Sequence, residues 1–220
     1  MNLPDGLLPA AWLYGAHAVF ALLFLHACWR APWHILFDDD RAHAFLGVCV
    51  ALMVLWSIKA GVQPGLNFHL LGATALTLMV GPALALVGLT GVLVGNTLIH
   101  ASGVEAFSAN ALVMAAVPVA VSEGLQRALR GFAPRHFFVF VFGAAFAGGA
   151  LALASVGITA SAIFAAARVY PADELIGQYL PYFLLLAFPE AILTGSSIAL
   201  MVVYRPRWVL SFDDALYLGR

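Results

Sequence analysis

Apolar segments that are long enough to cross a bilayer recur along the whole chain, and few of their residues are charged. A transmembrane helix needs about 20 consecutive, mostly apolar residues. Of the 220 residues, 63% are hydrophobic and 10% are charged, whereas soluble domains carry about 25% charged residues. The sequence therefore predicts an all-α integral membrane protein, because helices satisfy their backbone hydrogen bonds internally when lipid surrounds them.

Seven of these segments are predicted to be transmembrane helices. We expect one transmembrane domain over residues 1–220, with spans at about residues 8–29, 43–61, 69–81, 83–99, 106–129, 137–167 and 177–204. The apolar stretch at residues 69–99 is divided at Gly81-Pro82, because a proline inside a helix removes a hydrogen bond. We therefore expect two short spans that meet at a tight turn.

The basic residues predict the orientation of this bundle. Cytoplasmic loops of membrane proteins carry an excess of lysine and arginine. With the N-terminus outside, the outer segments carry only Lys59 and Arg168, and the cytoplasmic side carries Arg30, Arg41, Arg127, Arg130, Arg135, Arg205, Arg207 and Arg220. The sequence thus predicts a seven-transmembrane-helix bundle in a bacterial inner membrane, with the N-terminus outside and the C-terminus cytoplasmic.

Composition and motifs argue against several functions. The formal net charge is −1, so nothing indicates nucleic-acid binding. The chain has no GxxxxGK[ST] phosphate loop, so any ATP hydrolysis is expected from a partner subunit. It has neither an HExxH motif nor a recognisable nucleophile–base pair. We therefore expect neither an enzyme nor a tightly bound cofactor.

Polar residues gather on the predicted outer side. They comprise Met1, Asn2 and Asp5 before the first span, His69 at the opening of the third, and His100 and Glu105 between the fourth and fifth. Asn110 and Glu190 lie inside apolar runs, where polar residues are either functional or structurally paired. For the loop that contains His100 and Glu105, the alternative interpretation is a solvated turn.

Two of these residues offer nitrogen ligands for a metal. Histidine is the commonest metal ligand, although His69 is also explained as an interfacial histidine bonded to a backbone carbonyl. Asn2 is too bulky for ordinary removal of the initiator, so we expect Met1 to be retained with its α-amine. Amine, deprotonated amide and imidazole nitrogens favour square-planar Cu(II) or Ni(II).

Several motifs resemble the CbiM/NikM family of cobalt and nickel transport proteins. The start Met1-Asn2-Leu3-Pro4-Asp5-Gly6-Leu7-Leu8 resembles the family's Met-His-Ile-Pro-Asp-Gly-Phe-Leu. Further similar motifs, in colinear order, are His69-Leu70-Leu71-Gly72 before Gly81-Pro82, Ser108-Ala109-Asn110-Ala111 before Met114, and Glu190 before Leu193-Thr194-Gly195. The resemblance covers most of the chain.

The resemblance implies a seven-helix bundle whose N-terminus tucks in from outside. In the family, the metal is held by the amine of the first residue, the amide and imidazole of the second, and the histidine that opens the third span. In this sequence those positions are Met1, Asn2 and His69, so Asn2 removes one of four nitrogen ligands. His100 is displaced by one residue from the family's His-Gly-Gly turn and is a candidate for the vacant position. Asp5, Glu105, Asn110 and Glu190 are candidates for polar residues that support the site.

The resemblance also implies a function. The chain is expected to be the substrate-binding membrane component of an energy-coupling-factor transporter that takes up a divalent metal ion, nickel or cobalt. Its expected partners are the lipid bilayer, an ATPase subunit and a coupling transmembrane subunit. One alternative is the same scaffold with altered specificity, for copper or a non-metal solute. Another is a non-transporting accessory or structural subunit of a membrane complex.

Overall fold

Helices make up most of the computed structural model, which describes residues 2–100 and 103–217. In chain order they are α1 (Ala10–Arg30), α2 (Asp39–Ser57), α3 (Ala73–Val80), α4 (Pro82–His100), α5 (Phe107–Phe132), α6 (Val139–Ala166), α7 (Ala172–Tyr204) and α8 (Asp214–Tyr217). Short 3-10 turns lie at Trp33–Phe37 and Pro206–Trp208. Helices α5, α6 and α7 each contain a π-helical stretch, at residues 112–116, 139–147 and 175–179.

Six helices in the described part of the chain are long and apolar enough to cross a membrane, namely α1, α2, α4, α5, α6 and α7. This confirms the prediction of a helical, multi-pass membrane protein. Helix α3 has only 8 residues and rises about 12 Å at about 1.5 Å per residue. The hydrocarbon core of a bilayer is about 30 Å thick. The segment predicted as a third span, residues 69–81, therefore contains a helix too short to cross on its own.

Helix α3 lies in the interior of the bundle, with all eight of its residues buried. Gly72, at φ +62°, precedes α3, and Gly81, at φ +81°, follows it. Pro82 then begins α4, so α3 and α4 meet at the tight turn that Gly81-Pro82 predicts. A left-handed glycine allows this turn at low cost, because it has no Cβ.

Residues 60–68 form an antiparallel β-hairpin, a short element that the sequence analysis did not predict in an otherwise helical chain. Strand β1 (Ala60–Gln63) pairs with β2 (Leu66–Phe68) through a turn at Pro64-Gly65. The Tyr170 hydroxyl donates to the carbonyl oxygen of Pro64 at 2.8 Å, and burial together with the charge of Glu174 raises the pKa of Tyr170. The hairpin therefore lies beside the loop between α6 and α7.

At the end of the bundle opposite the hairpin, hydrogen bonds link the residues that follow α7 to helices α2 and α3. The N–H of Leu210 donates to the carbonyl of Met79 at 2.9 Å, and the Ser211 hydroxyl donates to the carbonyl of Leu78 at 2.7 Å. Trp208 Nε1 donates to Asp40 Oδ2 at 2.8 Å. We call this end, which carries residues 205–217, the C-terminal face. The other end, which carries residues 2–8 and the hairpin, is called the N-terminal face. Helix α3 ends at the C-terminal face.

Glycines bring α6 and α7 close together. A Cβ at Gly195 of α7 would lie 2.0 Å from Phe146 Cδ2, and one at Gly157 of α6 would lie 2.3 Å from Phe183 Cγ. Small residues allow such close approach between helices in lipid. The large rings of one helix thus fill the space that the glycines of the other leave open.

We expect Gly195→Ala to destabilise the protein, because the added methyl overlaps the Phe146 ring close to its attachment point. Overpacking of this kind costs about 1–3 kcal/mol. The measurement is the midpoint of thermal unfolding in detergent. Gly91→Ala is the matched control, because a Cβ at Gly91 meets nothing within 4 Å. An unchanged midpoint for Gly195→Ala would contradict this description of the α6–α7 contact.

Candidate metal site

Two asparagine side chains hold the backbone of Asn2 and Leu3 against the bundle. The N–H of Asn2 donates to Asn67 Oδ1 at 2.8 Å, and Asn67 Nδ2 donates to the carbonyl of Asn2 at 3.1 Å. In the same way, the N–H of Leu3 donates to Asn110 Oδ1 at 2.7 Å, and Asn110 Nδ2 donates to the carbonyl of Leu3 at 3.0 Å. Each asparagine thus exchanges a pair of bonds with the backbone, as a neighbouring strand does. The backbone of Asn2 and Leu3 is fixed from both sides.

Asp5 binds the N-terminal segment to the loop that precedes α5. Its carboxylate accepts four backbone N–H groups at 2.8–3.2 Å, from Gly103, Val104, Glu105 and Ala106. No side chain of the loop caps α5 at Ala106, so the cap comes from a residue about 100 positions away. A carboxylate is the favoured group at a helix N-terminus, because it neutralises unpaired N–H groups and the helix dipole.

His69 lies in the loop between β2 and α3 and is 4% exposed. Its Nδ1 is 2.9 Å from the carbonyl oxygen of Leu70. Because a carbonyl only accepts, Nδ1 carries the proton and Nε2 keeps its lone pair. The Trp56 ring packs on the imidazole, with 5.4 Å between ring centroids. This tautomer is the one in which Nε2 can bind a metal, with Nδ1 fixed by a hydrogen bond.

Glu190 of α7 fixes the loop that carries His69. Its two carboxylate oxygens accept the N–H groups of Leu71 and Gly72, each at 2.8 Å. Trp56 Nε1 donates to the carbonyl of Leu71 at 2.9 Å. Glu190 is 1% exposed, so these two N–H groups give a buried carboxylate the partners that it requires. The position of His69 is thus fixed by Trp56 of α2 and by Glu190 of α7.

An open cleft of about 480 Å³ lies at the N-terminal face, beside the fixed backbone of Asn2. The hairpin forms one wall, and the polar side chains that line the cleft are Asn2, Lys59, Gln63 and Asn67. Asn67 precedes His69 by two residues, so their Cα atoms are at most about 7 Å apart. Asn67 thus connects the backbone of Asn2 to the segment that leads into His69, which is itself buried and is not among the residues that line the cleft.

The predicted site residues form two groups of contacts. Asn110 and Asp5 fix the N-terminal segment that includes Asn2, and Glu190 fixes the loop that carries His69. Met1 is a predicted ligand but lies outside the described residues. His100 is exposed at the end of α4, and within the described residues it forms neither a hydrogen bond nor a ring contact with Asn2 or His69. Glu105 is also exposed, and only its backbone N–H contacts the N-terminal segment.

Asn67 is the contact that sequence reasoning missed. The sequence contains a signal for this contact, because Asn67 is a polar residue next to the apolar run that begins at His69. Within residues 2–100 and 103–217, no three His, Cys, Asp or Glu side chains cluster closely enough to hold a metal ion. A metal at this site therefore depends on backbone nitrogen as well as on His69.

Residues 2–208 match the family model described as CbiM, the cobalt uptake substrate-specific transmembrane region. The chain belongs to this family. The resemblance found in the sequence motifs is thus confirmed, and it places this CbiM-family chain among the membrane components of metal uptake. No curated protein matches the sequence significantly.

Two solved structures share the fold of this CbiM-family chain. One is described as a truncated transition metal transporter, with a TM-score of 0.80 and 19% identity over 93% of this chain and 99% of that one. The other is described as a transition metal transporter, with a TM-score of 0.79 and 19% identity over 91% of this chain and 92% of that one. At this identity, the likeness concerns the fold alone.

We expect Asp5→Ala to loosen the N-terminal face, because four N–H groups lose a charged acceptor. Loss of a capping side chain costs about 1–2 kcal/mol. Hydrogen–deuterium exchange should be faster at the amides of residues 103–106. Asp173→Ala removes an exposed carboxylate elsewhere and should leave these amides unchanged. Equal exchange in wild type and Asp5→Ala would show that Asp5 does not hold this loop.

Proposed function

We propose that this chain is the substrate-binding membrane component of an energy-coupling-factor-type transporter that takes up nickel or cobalt. It captures the divalent ion at its N-terminal face. A separate ATPase subunit and a coupling transmembrane subunit, acting in a bacterial inner membrane, then drive its transfer inward. Membership of the cobalt uptake family supports metal as the cargo. The absence of a phosphate-loop motif from the sequence is the reason for assigning ATP hydrolysis to a partner.

The observation that carries this proposal is the fixed backbone of Asn2 beside the His69 loop. Asn67 contacts the Asn2 backbone and is two residues from His69, whose Nε2 is available. The proposed ligands are the Met1 amine, the Asn2 amide nitrogen and His69 Nε2, with His100 or water as a fourth. Asp5, Glu105, Asn110 and Glu190 are the proposed supporting residues. Three nitrogen donors of these types favour Ni(II) or Cu(II) in planar coordination.

Metal binding through the Asn2 nitrogen requires one hydrogen bond to break. The N–H of Asn2 donates to Asn67 Oδ1, and an amide must lose this proton before it ligates. The ammonium of Met1 must also release a proton, from a pKa near about 7.7–8.0. Binding therefore releases protons, and the affinity for metal should rise with pH.

We further propose that the chain forms one transmembrane domain that crosses the membrane seven times, with its N-terminus outside. The hairpin, the His69 loop and α3 together form the third crossing. Its inner half is α3, which reaches the C-terminal face. The distribution of charge supports this orientation, because Lys59 and Arg168 belong to the N-terminal face and the other basic residues in the described part of the chain belong to the C-terminal side.

His69→Ala should abolish retention of nickel by the purified protein, because it removes the imidazole ligand. The measurement is the metal content per protein after desalting, by elemental mass spectrometry. His26→Ala is the matched control, since His26 is exposed on α1 and lies away from the N-terminal face. An N-terminal extension of one residue should also reduce retention, because it displaces the α-amine, whereas a C-terminal tag should not.

Equal nickel content in wild type, His69→Ala and the extended protein would contradict the proposed ligands. The unfolding midpoint of each variant separates loss of a ligand from loss of the fold. A folded His69→Ala variant without metal supports the proposal.

A further inference from the structure

Helices α1 and α5 pack together near the N-terminal face and separate toward the C-terminal face. Phe20 of α1 meets Phe107 of α5 edge-on, with 6.1 Å between ring centroids, and His17 Nδ1 lies 2.8 Å from Ser108 Oγ. Beyond these contacts, an open cavity of about 820 Å³ lies between the two helices. We call it the lateral groove. It is bounded by residues 23–30 of α1, residues 116–127 of α5, and the turn between α3 and α4.

The lateral groove has the length of one leaflet of a bilayer. Its α1 wall runs from Leu23 to Arg30 and its α5 wall from Ala116 to Arg127, which correspond to about 10 Å and about 16 Å at about 1.5 Å per residue. One leaflet contributes about 15 Å to a hydrocarbon core of about 30 Å. Arg30 is the last residue of α1, so the groove ends at the C-terminal face. A transmembrane helix would need a groove across the whole core, whereas the acyl chain of a phospholipid occupies one leaflet.

Apolar and small residues form the inside of the lateral groove. Val80 and Val119 are buried at its floor. Ala116, Ala120 and Gly124 recur every four residues on α5, so they lie on one face of that helix. A Cβ at Gly124 would meet nothing within 4 Å. The wall of α5 therefore leaves room for an apolar chain that lies along it.

The charged residues of the lateral groove leave it with a net positive charge. Arg30 lines the groove and forms neither a hydrogen bond nor an ion pair with the described part of the chain. Arg127 Nε donates to Glu123 Oε1 at 2.6 Å, which uses one of the five donors of a guanidinium. Two cations face one anion, so the groove has donors and charge available for an anionic group.

Tryptophans place this end of the groove at the level of the lipid headgroups. Trp29 is 78% exposed and Trp33 is 40% exposed, and Trp33 Nε1 donates to the carbonyl of Cys28 at 2.8 Å. Tryptophan is enriched where a membrane meets water, with its ring at headgroup level. The guanidinium of Arg30 lies 5.2 Å from the centroid of the Trp29 ring. Arg30 is therefore at the depth at which a phospholipid carries its phosphate.

We propose that the lateral groove binds one anionic phospholipid, whose acyl chain lies along the apolar walls and whose phosphate pairs with Arg30 and Arg127. A guanidinium matches the geometry of a phosphate with two parallel N–H groups. Basic pockets between transmembrane helices on the cytoplasmic side bind anionic headgroups, and the C-terminal face is the proposed cytoplasmic side. This site goes beyond the proposed function and uses none of the proposed metal ligands.

Native mass spectrometry of the purified protein in detergent tests the inference. The protein is mixed with phosphatidylglycerol or with phosphatidylcholine that has the same acyl chains. We expect one phosphatidylglycerol per chain, and about fivefold weaker binding of phosphatidylcholine, because its headgroup has no net charge. Glycerol 3-phosphate carries the phosphate without acyl chains and should not bind.

Three charge variants locate the headgroup. Arg30→Gln should weaken the binding of phosphatidylglycerol about fivefold. Glu123→Gln should strengthen it, because the guanidinium of Arg127 loses its carboxylate partner. Arg207→Gln is the matched control, since Arg207 is exposed on the same face but does not line the groove.

Two glycine variants locate the acyl chain. Gly124→Leu should abolish lipid binding, because the new side chain fills the groove. It should fold, since no atom opposes the new Cβ and leucine favours a helix more than glycine does. Gly131→Leu is the matched control, because Gly131 belongs to the same helix, has open space around its Cβ position and lies outside the groove.

Equal binding of the two phospholipids would overturn the inference, and so would unchanged binding in Arg30→Gln and Gly124→Leu. A dimer without lipid, which Gly124→Leu converts to a monomer, would also overturn it, because a second copy of the chain would then occupy the groove. Retention of nickel that depends on His69 is measured separately, so failure of the lipid site and failure of the proposed function are distinguishable.

Discussion

The exchange of hydrogen bonds between two asparagine side chains and the backbone of Asn2 and Leu3 is the contact on which the site depends. A buried backbone N–H or carbonyl without a partner costs about 1–3 kcal/mol. An extended segment can enter a helical bundle only if something replaces the neighbouring strand, and Asn67 and Asn110 do so. Both are short and carry a donor and an acceptor side by side. The backbone of Asn2 and Leu3 is thereby fixed in position before any metal arrives.

The same requirement explains the other irregular backbone of the bundle. The loop between β2 and α3 interrupts what the sequence presents as a span, and its N–H groups at Leu71 and Gly72 need partners. Glu190 supplies both, and Trp56 donates to the carbonyl of Leu71. Non-helical backbone at membrane depth is tolerated where protein surrounds it or where it lines a cavity. The loop is fixed because the bilayer offers no other partner, and His69 is fixed with it.

Local sequence was sufficient to predict the long helices, because each needs only an apolar run of membrane length. The turn at Gly81-Pro82 was equally predictable, since both residues act on the backbone at their own position. The hairpin was not predicted, because its strands have only four and three residues, too few for a clear alternation of apolar and polar residues, although Pro64-Gly65 is a signal for its turn. The partners of Asp5 and Asn67 were also beyond prediction, since they lie 98 and 65 positions away in the chain. Motif order identified His69 and Glu190 as candidate site residues, whereas the contacts by which Glu190 holds the loop at Leu71 and Gly72 needed the three-dimensional structure.

We propose that backbone nitrogen from the N-terminal segment and His69 Nε2 meet at one metal position. Anomalous diffraction at the nickel edge, from crystals of the metal-loaded protein, tests it most directly. We expect a single strong peak within bonding distance of the Asn2 nitrogen and His69 Nε2, with the hydrogen bond from Asn2 to Asn67 broken. A peak elsewhere, such as at the acidic residues Asp38, Asp39 and Asp40 that begin α2, with none beside His69, would contradict it.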